Sequence, residues 1–482
     1  FGRTRHCNGF TAKLRRMLGE AYCWGPKDHE LRSITKARGQ LLISAFGGGV
    51  VTEGGLVWAA GECDGKTPLP NAQQAACGDD FTIALVGTGK KASVFSWGHA
   101  PQTQGELGLG ARHVNIPAPT RIAALDGHRV TQIACGGAHC AAVTECGDLF
   151  TWGRGFEGQL GHTTKFGPLP TVQMLPKPVQ AFLPTKDRQR PVRAVACGRN
   201  FTVAVTCAGA LYSWGEGGSG QTGRGHVTSS PSPGVVLENC PETGEPFVQA
   251  TCGWAHALAR TEGGVVYAWG LNVFGQLGLG DRKTRHHPKR LRIPPAGPPD
   301  AAAGGGAGIG AVSDAAAGKE TENVAAGGNA SGAVRSNGAV YTWGYRAAGL
   351  RSPTRDSGGD DGSDGAATGE KDAEEHADTP RLAVALLGKL VADISLNGGG
   401  GGVLTVPSRV LSLEPPMGPR SGGNVVAVRG CGFWPSEDTV VRFRQAAADD
   451  HPAVARAVVG TWTRGSPRGV PDAILCKAPK FA

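Results

Sequence analysis

The chain has 482 residues, with 77 Gly, 32 Pro and only 6% aromatic residues, a composition rich in turn formers and short of long helical runs. Its formal charge of +9 is uneven: Asp356 to Asp378 holds nine acids and one Lys, so the remainder carries +17, the difference between +9 and −8. No run of 18 apolar residues or secretory apolar region is present, which predicts no membrane span. The 13 cysteines form no short-chain disulfide framework and point to a reducing compartment.

The first twenty residues form a basic segment. Phe10, Leu14, Met17 and Leu18 fall at helical spacing there, and a short amphipathic helix is expected. Ala21-Tyr22-Cys23-Trp24-Gly25 then reads as a closing strand with no opening strand before it. Phe46 to Gly61 is a shortened, degenerate unit. From there a pattern repeats. Cys135, Cys197 and Cys252 each precede a Gly, and 17 residues later come Trp152, Trp214 and Trp269, each followed by Gly. Ala326 to Trp343 keeps this distance, and Cys77 to Trp97 stretches it to 20 around a larger hairpin. Between Cys and Trp lie an apolar strand, a Gly-containing turn and a returning strand, which is a hairpin signal. A second Gly cluster follows each Trp, as in Gly158-Gln159-Leu160-Gly161 and Gly275-Gln276-Leu277-Gly278.

One such unit cannot bury its own apolar faces, so recurrence at roughly 50 residues implies a propeller or a solenoid. The ends of the array favour the ring. Ile394 to Val406 is an opening strand that lacks a closing Trp-Gly, and Tyr22-Cys23-Trp24 supplies one. Pairing them removes the exposed edges a solenoid would leave. The sequence thus predicts an all-β fold: a seven-bladed β-propeller over residues 21–406, closed by its N- and C-terminal strands. Two Gly-, Ala- and acid-rich stretches, 294–323 and 351–379, lack the apolar content to order themselves and are read as disordered insertions.

These motifs, Cys-Gly-x-x-His, Gly-x-Leu-Tyr-x-Trp-Gly and Gly-Gln-Leu-Gly-x-Gly, resemble the regulator-of-chromosome-condensation repeat family. The family fold is a seven-bladed propeller with a split first blade. Residues 407–482 follow another pattern, with Glu414-Pro415-Pro416, Gly422-Gly423, Gly430-Cys431-Gly432-Phe433 and the late Cys476-Lys477-Ala478-Pro479. They are similar to the IPT/TIG domain, which implies a small immunoglobulin-like β-sandwich, read here as cut off at its last strand.

No phosphate-binding loop, nucleophile elbow or His-Glu-x-x-His motif occurs, so no covalent chemistry, cofactor, metal or small-molecule substrate is expected. Trp24, Trp97, Trp152, Trp214, Trp269 and Trp343 are assigned to packing between repeats. Cys77, Cys135, Cys197 and Cys252 are assigned as small fillers. His139 and His256 occupy a position held elsewhere by Phe81 and Phe201, which reads as packing. The expected function is a non-catalytic protein-interaction scaffold inside the cell, in the cytoplasm first, with the nucleus as the alternative. The alternative implied by the family is nucleotide exchange on a small GTPase, with Lys186, Asp187, Arg188 and Arg190 as a candidate partner loop. Chromatin or nucleic-acid binding ranks below both. Ultraviolet sensing, known in a plant photoreceptor of this fold, is disfavoured because only Gly253-Trp254-Ala255-His256 approaches the Gly-Trp-Arg-His-Thr motif on which that receptor relies.

Overall fold

The computed structural model describes residues 20–24, 32–33, 42–46, 49–52, 56–59, 67–99, 105–110, 115–164, 167–168, 172–184, 190–294, 321–336, 338–345, 376–383, 386, 390–396, 401–406, 409–414, 425–431, 440–444, 455–459, 461–463 and 472–477. After β1 (Glu20–Trp24) and β2 (Arg32–Ser33) comes a sheet of β3 (Leu42–Phe46), β4 (Gly49–Thr52), β5 (Leu56–Ala59) and β6 (Thr67–Pro68). The next is β7 (Ala72–Cys77), β8 (Phe81–Val86), β9 (Ser93–His99) and β10 (Asn115–Arg121). β11 (Val130–Cys135), β12 (His139–Thr144) and β13 (Leu149–Arg154) continue, past a ribbon of β14 (Thr163–Thr164) and β15 (Gly167–Pro168), into β16 (Val172–Pro178). Then come β17 (Val192–Cys197), β18 (Phe201–Thr206), β19 (Leu211–Gly215) and β20 (Ser230–Leu237), followed by β21 (Phe247–Cys252), β22 (His256–Thr261), β23 (Val266–Gly270) and β24 (Arg285–Leu291). The sheet after that is β25 (Thr321–Gly327), β26 (Ala330–Arg335), β27 (Val340–Tyr345) and β28 (His376–Leu382).

Each sheet is an antiparallel meander in chain order, innermost strand first. The exception is the sheet shared by the ends. β29 (Leu390–Leu396) and β30 (Gly401–Val406) join the N-terminal strands in the order β2-β1-β30-β29. Tyr22 lies opposite Val403, and Cys23 opposite Gly402, so the split unit read from the sequence does pair. Innermost strands touch in cyclic succession: β7 meets β11, β11 meets β17, then β21, β25, β29, β3 and β7 again.

The tight turn between second and third strands needs Gly. In Glu145 to Asp148, Gly147 has φ +87° and its N–H bonds the Thr144 carbonyl at 3.0 Å, a conformation that penalises a side chain. The core lies between neighbouring sheets. Ile83 and Val94 of one sheet share a cluster with Ile133 and Trp152 of the next. The outermost strands β10, β16, β20, β24 and β28 all contain Pro, which an edge strand accepts because it has no outer partner to bond.

Two segment boundaries differ from the sequence expectation. Thr321–Asn323 and His376–Thr379 were assigned to the disordered insertions but belong to strands β25 and β28. Residues 295–320 and 346–375, like the N-terminal 1–19, lie outside the described residues. Beyond Val406, β31 (Arg409–Glu414), β32 (Val425–Cys431), β33 (Val440–Arg444), β34 (Ala455–Val459), β35 (Thr461–Thr463) and β36 (Asp472–Lys477) pair as β31-β32-β36-β35 and β33-β34. Among the described residues no helix is long and apolar enough to cross a membrane.

Candidate interaction rim and the seams behind it

The repeated residues meet at the seams between sheets. The Gln159 carbonyl, in the loop after β13, accepts the Trp214 indole N–H at 2.8 Å and the Thr202 hydroxyl at 2.8 Å. Thr202 and Trp214 are cross-strand partners of the next sheet. The Gln276 carbonyl does the same for Trp343 at 2.9 Å and Ser331 at 2.8 Å. Gln221 takes Trp269 at 2.9 Å, and Glu106 takes Trp152 at 3.0 Å. All four Trp side chains are fully buried. Trp97 is half-buried and packs at the edge of a smaller cluster, and the Trp24 side chain lies outside the described residues.

His139 and His256 are more than filler. His139 Nε2 lies 2.9 Å from Thr202 Oγ1, and His256 Nε2 lies 2.8 Å from Ser331 Oγ. Each hydroxyl already donates to a carbonyl, so the ring nitrogen must be the donor, leaving Nδ1 bare. Burial pushes both imidazoles down to about 3, with Arg154 adding to the effect at His139. Phe replaces His where the neighbouring sheet offers no such hydroxyl: Phe201 shares a cluster with Ala257, and Phe81 with Cys140. The interchange read from the sequence is therefore packing plus a matched hydrogen bond.

Cys77, Cys135, Cys197 and Cys252 close the innermost strands β7, β11, β17 and β21 as free thiols. Burial raises every one of them, Cys77 to about 12, which leaves them poor nucleophiles. One seam device escaped the sequence reading. Gln74, Gln132 and Gln249 each stand three residues before a repeat Cys. Gln74 bonds both the N–H and the carbonyl of Ile133 at 2.9 Å, and Gln132 treats Val195 alike at 3.1 Å. Gln249 bonds the Val324 carbonyl at 3.0 Å.

Meander topology puts the turn from first to second strand and the loop from third to fourth strand on one rim. On that rim the backbone forms a belt across seams. Asp79 N–H bonds Gly137 O, Gly137 N–H bonds Arg199 O, Arg199 N–H bonds Trp254 O, and Trp254 N–H bonds Gly328 O, at 2.8–3.1 Å. The same rim exposes Phe156 (55%), Val227 (54%), Val273 (46%) and Trp254 (44%). Arg199 lies over the Trp254 ring at 5.7 Å and Arg154 over Phe156 at 5.8 Å, cation–π pairs that hold both partners in place. The loop singled out from the sequence lies on the opposite rim, between β16 and β17. Lys186, Asp187 and Arg188 are outside the described residues, and Arg190 lies over Tyr212 at 5.4 Å. Among the described residues no three His, Cys, Asp or Glu side chains converge as metal ligands.

Comparison with known proteins matches this architecture. The chain is 34% identical over 236 residues to the ultraviolet-B receptor UVR8 of Arabidopsis thaliana, covering 47% of this chain and 49% of the receptor. It is 34% identical over 225 residues to the E3 ubiquitin-protein ligase HERC2 of Mus musculus, covering 46% of this chain and 4% of the ligase. The chain thus spans about half the length of the first relative and a small part of the second. Among solved structures, yeast RCC1 (Prp20) bound to Kap60 aligns with a TM-score of 0.59 at 19% identity, over 84% of this chain and 94% of that one. Prp20p of Saccharomyces cerevisiae in a second structure gives 0.58 at 20% identity, over 84% and 96%. These two show the fold. The family model for the RCC1-like domain matches residues 19–403, and with most of its length so matched the chain belongs to the RCC1-like domain family.

Proposed function

We propose that the chain is a non-catalytic protein-interaction platform: a seven-bladed propeller whose Trp254 rim docks a protein partner, followed by an IPT/TIG-like module. The observation that carries this reading is how the side chains divide. The repeat residues that could do chemistry, His139, His256 and the repeat cysteines, are buried in or beside seams and held in unreactive protonation states. Four of the six exposed large apolar groups among the described residues, Phe156, Val227, Trp254 and Val273, gather on one rim, two of them beside arginines, the composition that dominates protein interfaces. Seven four-stranded sheets with cyclic innermost contacts support the blade count. Paired strands from Arg409 to Lys477 support a separate C-terminal β module. An intracellular, cytoplasmic setting fits the free thiols.

Nucleotide exchange on a small GTPase is the second reading. It draws on the fold shared with Prp20p, a protein studied for its binding to Gsp1p and histones, and fold likeness alone carries function weakly. Light sensing is not extended to this chain. Among the described rim turns at 79, 137, 199, 254 and 328, one holds Trp and one Arg.

The test is direct. Partner capture by the full chain is expected to weaken at least about tenfold in Trp254→Ala, the cost of a typical interface anchor, with no change in melting temperature. Retained affinity moves the interface off this rim. Accelerated nucleotide release in a panel of small GTPases replaces the scaffold reading with the exchange reading.

A further inference from the structure

The loop after the third strand carries Gly-x-Gly or Gly-x-Thr, and in successive sheets the middle residue is Leu109, His162, Arg224 and Leu279. Leu109 and Leu279 pack on core clusters, and His162 bonds Thr151 at 3.0 Å. Arg224 does neither. Its Nε is buried without a hydrogen-bond partner, and no ion pair reaches its guanidinium among the described residues. Burial pulls that guanidinium below its usual value, and no carboxylate offsets the loss. A half-buried cation left in this way is costly unless an anion meets it.

The guanidinium lies over β20, the outermost strand of its own sheet. A Cβ on Gly234 would collide with Arg224 Nη1, so the glycine leaves the space that the arginine takes. Two residues before Gly234 stands Ser232, exposed and followed by Pro233. Two strand residues span about 7 Å at ~3.3 Å each, a gap that a phosphoserine and an arginine close between them. Residues 217–237 hold no Asp or Glu. The neighbouring hydroxyls are committed elsewhere. Ser230 is buried and its Oγ donates to the Ser232 carbonyl at 3.1 Å, and Thr228 Oγ1 faces His226 Nδ1 at 3.0 Å. Ser229 Oγ donates to Glu157 at 3.2 Å, an acid that would repel a phosphate placed there.

We propose that Ser232 is a phosphorylation site and that Arg224 takes up its phosphate, fastening the loop after β19 to β20. In the transfer, Ser232 Oγ bonds the γ-phosphorus of a nucleoside triphosphate. The bond from that phosphorus to the β–γ bridging oxygen breaks, the nucleoside diphosphate leaves, and the serine proton passes to the base of the modifying enzyme. A seryl phosphate brings close to two negative charges and three acceptor oxygens, which a planar guanidinium meets with paired N–H donors. Pro233 holds Ser232 in extended backbone, and the outer edge of β20 has no strand beside it to block an enzyme. The switch stands whether or not a partner docks on the Trp254 rim.

A proline-directed kinase with ATP, acting on the full chain and read by peptide mass spectrometry, is expected to place phosphate on Ser232 and leave Ser230 bare. A phosphatase is then expected to remove that group about tenfold more slowly than from the phosphorylated Arg224→Leu chain, as for a phosphate nine-tenths engaged. Arg224→Leu copies Leu109 and Leu279, so it is expected to fold. Arg224→Lys keeps the charge without the paired donors and is expected to fall between the two. The Arg224 Nε–H resonance, identified by its loss in Arg224→Leu, is expected to shift on phosphorylation. Modification only at other residues, equal dephosphorylation rates, or an unmoved resonance overturns the proposal. An equal shift produced by millimolar inorganic phosphate on the unmodified chain overturns it as well, and makes Arg224 a site for a free anion.

Discussion

The two buried histidines show how one atom sets a side chain's role. His139 donates from Nε2 to Thr202, whose hydroxyl is itself committed to Gln159, and burial with Nδ1 unpartnered keeps the ring neutral. Replacing Thr202 with Val orphans that N–H and is expected to cost about 1–3 kcal/mol. His139→Phe, copying the Phe201 solution, leaves the Thr202–Gln159 bond intact and is expected to change stability at pH 7 by under about 1.5 kcal/mol. The two variants should also part in acid. Both imidazoles titrate near 3 in the fold against an ordinary 6.5. The unfolded chain therefore binds more protons between those values, and stability falls as pH drops from about 6.5 toward 3. Urea midpoints measured across that range should decline less steeply in His139→Phe. An equal slope would remove His139 from the acid response. The sequence showed that His and Phe alternate at this position, and no spacing rule revealed why. The reason lies in the next sheet, some 63 or 75 residues on.

At the scale of the strand and its turn, legibility followed burial. Second and third strands such as β18 and β19 are buried at every residue, and their apolar runs and Trp-Gly endings stood out. Fourth strands did not. β24 reads Arg-His-His-Pro-Lys-Arg-Leu and β28 reads His-Ala-Asp-Thr-Pro-Arg-Leu. An outermost strand needs no apolar alternation, so its sequence looks like loop. β25 failed for another reason: it opens on Thr-Glu-Asn, and Asn323 is satisfied by Gln249 of the neighbouring sheet, a partner invisible along the chain. The seam glycines make a sharper prediction. A Cβ on Gly161 would sit 2.8 Å from the Trp214 indole nitrogen, with φ at +71°. Gly161→Ala is expected to cost about 2–4 kcal/mol through overpacking and a strained backbone. The Trp214 indole N–H resonance should shift as its bond to Gln159 lengthens. An unmoved resonance and an unchanged midpoint would mean the seam is softer than its geometry implies.

For the whole molecule, the closing sheet is the decisive element. Tyr22 and Val403 are opposite one another on antiparallel strands, so Tyr22→Cys with Val403→Cys can form a latch. Because the bridge would span most of the chain, it is expected to stabilise by about 5 kcal/mol, read as a higher melting temperature that reverts on reduction. A bridge that fails to form would place the two strands apart. Both halves of this closure were visible in the sequence as incomplete units. The partner rim was not, since Phe156, Val227, Trp254 and Val273 are far apart in the chain and only the meander brings them to one side.

The pairing of β1 with β30 also sets the order of events during synthesis. The strand that needs residues 401–406 is made well before them. At about 5–20 residues per second, roughly 20–80 s pass before its partner exists. Throughout that interval the nascent ring is an open arc with a bare β edge at each end, the form in which β proteins join the wrong neighbour. Slower release of residues 401–406 lengthens that exposure, so yield is expected to respond to translation speed and chaperone supply as well as to the stability of the finished circle.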